Sequence, residues 1–257
     1  MLFRSLDLPA SPTDAAGPPE ITGSYLLKFE ADVAEPPVVP GWGRLEVVTP
    51  KDPTDAQLTW LAEHFDRFQQ LLDAGRGDGA EPPYAALMDR QSFIDQMVIN
   101  ELTRDQDAYV RSAYLHIPRS GPITMGPLWD YNLTMGTGGY FDNTNTEGWQ
   151  YRHPYNSGNP RWFVQLMEDP GYAADFRARW QTLRMDQLSD AAMAARIQVF
   201  VDRIGEAGDR NFGVWDNLRE GRVNGFESPR APTWAGQIEA LRTWIQRRSI
   251  WIDEQLQ

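Results

Sequence analysis

The segment Gly126-Pro127-Leu128-Trp129-Asp130-Tyr131-Asn132-Leu133-Thr134-Met135-Gly136 sets one carboxylate between two glycines and a run of apolar side chains. A carboxylate taken out of water is costly unless a cation or hydrogen-bond donor meets it. Asp130 is therefore expected to have a partner. Upstream, the polar island Asn100-Glu101-Leu102-Thr103-Arg104-Asp105-Gln106-Asp107-Ala108-Tyr109 follows the apolar-periodic residues 93–99 and supplies a second acid, Asp107. Hard cations such as Mg²⁺ take few carboxylates from a protein when substrate phosphates complete their shell, so a sparse Asp107 and Asp130 pair suits phosphoryl transfer.

Two elements must bring that pair together. Residues 112–117 and 124–129 read as the arms of a β-hairpin with Pro118-Arg119-Ser120-Gly121 at its tip. Asp107 then lies just before one arm and Asp130 just after the other, and a hairpin returns its ends to one place. Strands are also expected over 23–30 and 44–48, pairing antiparallel across the proline-containing stretch 35–40. A helix starts at Thr54 or Asp55, with Leu58, Leu61, Phe65, Phe68, Leu71 and Leu72 on one face and Gly75, Gly77 and Gly79 beyond its end. One or two helices follow over 84–102 with Ser92 as a cap, and residues 137–160 read as a long irregular loop beside the candidate site. The remainder is helical over 162–167, 172–183, 189–207, 211–218 and 233–256. Residues 1–20 read as a flexible lead-in and 21–257 as one domain.

Composition narrows the chemistry. Twenty-four basic against 36 acidic residues give a net charge of −12, which argues against nucleic acid as a partner because phosphate neutralisation needs a basic face. The only lysines are Lys28 and Lys51, so a mechanism that needs an amine has two candidates. With no cysteine, disulfides and thiol chemistry are excluded. The N-terminal residues lack the apolar run of a secretory signal, and no segment approaches the roughly 18–20 apolar residues that span a bilayer. The chain reads as soluble, without a stated compartment.

Several spacings together resemble a known family. Glu101-Leu102-Thr103, Asp107-Ala108-Tyr109, Tyr114-Leu115 and Gly126 to Gly136, with residues 21–27 before them and Asp169-Pro170, Arg179-Trp180, Leu183-Arg184, Arg210-Asn211 and 244–253 after them, resemble the CotH kinase family in order over about residues 20–255. The resemblance implies an α+β, atypical protein-kinase-like fold, with a small antiparallel β portion and a mainly helical C-terminal lobe. It implies ATP and Mg²⁺ or Mn²⁺ as cofactors and a protein substrate phosphorylated on Ser or Thr, spore coat proteins among the family's targets. Residue by residue, Asp107 resembles the catalytic-loop base and Asp130 the metal-binding aspartate of the Asp-Phe-Gly element.

Ser112 stands where the kinase pattern places a metal-binding Asn, and Asn132 where many relatives have a second Asp. Both are neutral oxygen ligands. Lys28 is the candidate phosphate ligand, the alternative being a strand-surface lysine, and the family's N-terminal lobe is expected to be largely missing ahead of it. Relatives are often exported, which makes a cell-surface or spore-associated location the expectation for a full-length form. Two other readings stay open: a pseudokinase-like binding or structural domain that transfers nothing, and a two-carboxylate glycan hydrolase motivated by the aromatic residues of 140–162. Glu101 is a supporting residue or simply the ion-pair partner of Arg104 or Arg111, and His64, His116 and His153 share no metal-ligand spacing.

Overall fold

A computed structural model of the protein describes residues 14–30, 34–75, 81–139, 142–152, 160–215, 221–223 and 225–257. The chain divides into two compact units. The first comprises Met1–Met97, Asp107–Asp130 and Pro154–Ala173, and the second Val98–Gln106, Tyr131–His153 and Ala174–Gln257. Helices and a small antiparallel sheet make the protein α+β, as the sequence implies.

The first unit holds a four-stranded antiparallel sheet built from β1 (Tyr25–Phe29), β2 (Leu45–Thr49), β3 (Ala113–Ile117) and β4 (Thr124–Met125) in the order β2-β1-β3-β4. The expected ribbon of β1 and β2 forms, with Lys28 opposite Glu46, and the expected hairpin of β3 and β4 pairs Leu115 with Met125. β1 also pairs with β3 along its whole length. The second arm of the hairpin is shorter than the sequence suggests. It stops at Met125 because Pro127 has no N–H to continue a ladder, and the chain leaves the sheet there.

Helix α1 (Asp55–Asp73) begins with a capping box: Thr54 Oγ1 accepts from the Gln57 N–H at 3.2 Å and Gln57 Oε1 accepts from the Thr54 N–H at 2.8 Å. Gly75, at φ +70°, follows its C-cap, while Gly77 and Gly79 lie outside the described residues. The buried face of Leu61, Phe65, Phe68 and Leu72 meets an aromatic cluster centred on Trp162, the first residue of α3 (Trp162–Glu168). Its ring centroid lies 5.1 Å from that of Phe68, 5.4 Å from Phe29 and 6.4 Å from Phe93. Burying one such indole contributes on the order of 4–6 kcal/mol of hydrophobic free energy. Ala15 is also buried, its carbonyl accepting from Thr54 Oγ1.

Helix α2 (Arg90–Thr103) follows a 3₁₀ turn over Pro83–Leu87. Its cap is Asp89, whose carboxylate accepts from the Ser92 N–H at 3.2 Å. Ser92 is inside the helix, where its hydroxyl donates to the Asp89 carbonyl, so it is not the cap that its residue type suggested.

The second unit is dominated by α4 (Pro170–Arg184, from Ala174 onward), α5 (Asp190–Val214) and α6 (Trp234–Gln255). Ser189 and Thr233 cap α5 and α6 as their types predict. The two helices expected over 189–207 and 211–218 are one, running unbroken to Val214. Gly205, Gly208 and Gly213 weaken it locally without ending it, and residues 216–220 lie outside the described residues. A two-residue hairpin of β5 (Arg222–Val223) and β6 (Phe226–Glu227) precedes α6.

At the centre of this unit Glu101 and Arg248 form an ion pair at 3.2 Å with both side chains 0% exposed. Glu101 also accepts from the backbone N–H groups of Gln150 and Tyr151, and the Arg248 Nε donates to the Glu101 carbonyl. Glu101 thus anchors the 3₁₀ turn Gln150–Arg152 within the loop expected to be irregular. Its ion pair is with Arg248, 147 positions along the chain. The Arg104 guanidinium donates instead to the carbonyls of Asn145 and Glu147.

Candidate functional site

Lys28, Glu46 and Tyr114 stand side by side on the sheet of the first unit. Lys28 of β1 lies opposite Glu46 of β2 on one side and Tyr114 of β3 on the other, so three polar side chains form a row across three adjacent strands. Lys28 Nζ lies 2.9 Å from Glu46 Oε2 and 2.8 Å from Glu30 Oε1. Burial alone would lower its pKa, but hydrogen bonds and charge from the two glutamates outweigh that and raise it. Lys28 is therefore an ammonium at neutral pH.

Beside this row is a cavity of about 400 Å³ lined by Lys28, Lys51, Glu35, Glu46 and Tyr114 among others. Both lysines of the chain therefore reach one cavity. Glu46 is fixed there by a second contact, accepting from the Glu35 N–H at 2.7 Å. Tyr114 links this cavity to the hairpin's end. Its phenol pKa is raised chiefly by burial, lowered by Lys28, and raised further by Glu30, Glu46 and Asp130. Its ring packs edge-on to Trp129 at 6.2 Å.

Asp130 occupies an environment unlike the one its neighbours suggest. It is exposed, as are Leu128 (37%) and Trp129 (45%), because the chain has left the sheet after Met125. The premise of a carboxylate buried in an apolar strand is overturned. Asp130 is nevertheless specifically held. It has φ +65°, Ser112 has φ +51°, and Ser112 Oγ donates to Asp130 Oδ2 at 3.4 Å. Two non-glycine residues in left-handed backbone facing each other are the kind of local strain that persists where the surroundings enforce it.

Asp107 opens the turn that leads into β3. Its carbonyl accepts from the N–H groups of Val110 and Arg111, and its carboxylate lies 3.6 Å from Arg111 Nε. The turn is pinned by Tyr109, whose ring lies 4.6 Å from that of Phe163. Asp107, Ser112, Asp130 and Lys28 thus belong to one unit. Asn132 is exposed and belongs to the second unit.

Asp130 and Ser112 offer two oxygen donors of the kind hard cations take. A carboxylate and a hydroxyl oxygen 3.4 Å apart approach the roughly 3 Å that separates adjacent oxygens around octahedral Mg²⁺ with bonds of about 2.1 Å. Among the described residues no group of three His, Asp or Glu side chains could hold a metal, so such a cation would draw most of its ligands from phosphate and water.

Sequence reasoning missed Glu30 and Glu46, and it held Lys51 as a candidate amine without a place. The signal available was the rarity of lysine itself, but nothing local indicated that the two would share a cavity. The aromatic loop does not supply a binding surface from its described members: Tyr151 and Trp162 are buried, and Trp149 packs on Trp251 at 5.0 Å. Tyr140, Phe141 and Tyr155 lie outside the described residues, as does His153. His64 stacks on Trp60 at 4.6 Å, and His116 Nδ1 lies 3.3 Å from the Gly126 carbonyl.

The sequence model of the family described as CotH kinase protein matches residues 41–252, most of the chain, a span that begins after Lys28 and includes Asp107, Ser112 and Asp130. No curated protein matches. Among the described residues no helix is long and apolar enough to cross a membrane.

Proposed function

Because this chain belongs to the CotH kinase family, we propose that it is a phosphotransferase that moves the γ-phosphoryl group of ATP, with Mg²⁺ or Mn²⁺, to a Ser or Thr hydroxyl of a protein. The observation that carries this reading is the convergence of both lysines on the cavity beside Tyr114, with Asp130 acting on the same phenol. Lys28, oriented by Glu30 and Glu46, presents a fixed ammonium to phosphate oxygens, a role like that of the kinase lysine and its glutamate partner. Lys51 adds a second ammonium on the cavity rim. Asp130 and Ser112 hold the divalent ion, which when bound neutralises charge on the phosphates. Asp107 accepts the hydrogen bond, and then the proton, of the substrate hydroxyl, with Arg111 limiting the rotamers of its carboxylate.

A second reading is favoured by one observation. The Lys28 ammonium already has two carboxylates within 2.9 Å, and Ser112 is a weaker ligand than the asparagine usual in kinases. A domain that binds nucleotide and transfers nothing would have these features. Thermal unfolding with and without Mg²⁺-ATP, paired with transfer from γ-labelled ATP to a protein acceptor, separates the two. Stabilisation with transfer supports the kinase, and stabilisation without transfer supports the binding domain.

A further inference from the structure

The second unit contains its own cavity, about 890 Å³, remote in chemistry from the lysine cavity. Its lining includes Arg222, Arg230 and Arg247 against Glu227 and Glu239. In a protein of net charge −12 this is a local reversal of sign. Among the described residues none of the three guanidinium groups has a hydrogen-bond or ion-pair partner. By contrast, Arg104, Arg184 and Arg248 of the same unit are each tied to carbonyls or carboxylates. Three exposed arginines around one cavity, without partners among the described residues and in a chain rich in acids, point to an anion that comes from outside.

The cavity is built rather than incidental. The Arg230 stem lies over Gly221, at φ +72°, where an added Cβ would stand 2.6 Å from its Cγ. The Glu227 side chain is folded against Gly139, with its carboxyl carbon 2.7 Å from where a Cβ would stand, and its backbone exchanges hydrogen bonds with Gly138 at 2.7 and 3.2 Å. The opposite wall is held by Trp244 Nε1 donating to the Thr144 carbonyl at 3.1 Å and by Arg248 donating to the carbonyls of Thr146 and Gly148. Ser228, also in the lining, has a buried hydroxyl with no partner among the described residues. A preformed cavity with three guanidinium forks and an unused hydroxyl matches phosphate chemistry.

The kind of phosphate follows from what is missing. Trp244 is the one aromatic ring among the described lining residues, it is 7% exposed, and Gly136 packs on it so closely that a Cβ would stand 2.8 Å from the ring. No aromatic face is offered to a nucleobase. Free phosphate would leave most of so large a volume empty, whereas an extended peptide would fill it.

We propose that this cavity docks a segment of protein bearing phosphoserine or phosphothreonine, the product class of the reaction proposed above. Its source rests on that reading, but the binding does not. Wild-type protein is titrated into a fluorescein-labelled acidic peptide carrying one phosphoserine, and into the same peptide with serine, and anisotropy is read. We expect binding tighter by about tenfold or more for the phosphopeptide, weakened by salt. It falls to the serine level in the Arg222→Gln, Arg230→Gln, Arg247→Gln protein and falls part-way in Arg247→Glu alone, both with unchanged thermal unfolding. Equal affinity for the two peptides overturns the proposal, as does unaltered binding in both variants. Displacement by ATP or inorganic phosphate at the concentration at which unlabelled phosphopeptide displaces also overturns it. Asp130→Ala is expected to retain docking, so docking without transfer in the wild-type protein contradicts only the kinase reading, and transfer without docking contradicts only this one.

Discussion

Lys28 and Glu46 are cross-strand partners in β1 and β2, and their charged atoms lie 2.9 Å apart at the edge of a cavity that also holds the chain's other lysine. The pair prepares a cation without consuming it, because an ammonium has three donors and the two glutamates take two of them. Lys28→Met should abolish the thermal stabilisation given by Mg²⁺-ATP while leaving the helical circular dichroism unchanged. Retained stabilisation would remove Lys28 from the phosphate site.

The same pair sets an alkaline limit. The pKa of Lys28 is raised in the folded protein, so its stabilising contribution is complete below the unfolded value of about 10.4 and is lost as pH rises through the folded value. Urea unfolding above that pH should show a decline that is shallower in Lys28→Met.

In the metal site proposed above, Ser112 is the weak point. Restoring an amide oxygen beside Asp130 with Ser112→Asn should lower the Mg²⁺ concentration that half-saturates transfer, by several-fold. Asn tolerates the positive φ of this position well, so the fold should not object. An unchanged or raised Mg²⁺ requirement would argue that Ser112 does not face the cation.

Glu101 and Arg248 stabilise the second unit as a pair. Removing one leaves the other charged and fully buried, so Glu101→Gln or Arg248→Met should each cost about 3–5 kcal/mol in urea unfolding. The double variant should cost clearly less than the two single losses added together.

Burial lowers the pKa of His64 and, against a smaller opposing pull from the Gly126 carbonyl, that of His116. A depressed histidine stabilises the fold above its unfolded value of about 6.5, and that contribution is lost as pH falls through the folded value. Stability should decline from about pH 6.5 downward, ahead of the carboxylates, and His64→Phe, which keeps the stack on Trp60, should make the decline shallower.

The family and the α+β architecture were legible in the sequence because they reside in ordered motifs and in long periodic helices with Ser189, Thr233 and Thr54 at their starts. The hairpin was legible for a similar reason, since its turn and both arms are local. The exposure of Asp130 was not, because the apolar letters around it say nothing of where a ladder ends; only the missing N–H of Pro127 hinted at it. Glu101 and Arg248 meet across 147 positions, and a two-residue hairpin such as β5 and β6 has no period to detect. The arginine cavity depends on both, and so was invisible.

In the proposed phosphoryl transfer, Asp107 and Asp130 of one unit serve as proton acceptor and metal ligand. The direct measurement is incorporation of label from γ-labelled ATP into a protein acceptor by wild type, Asp107→Ala and Asp130→Ala, each first shown to unfold at the wild-type temperature. Mg²⁺-dependent transfer by wild type and its loss in both variants are expected, with Asp107→Ala still stabilised by Mg²⁺-ATP. Equal incorporation by wild type and either variant would contradict these roles.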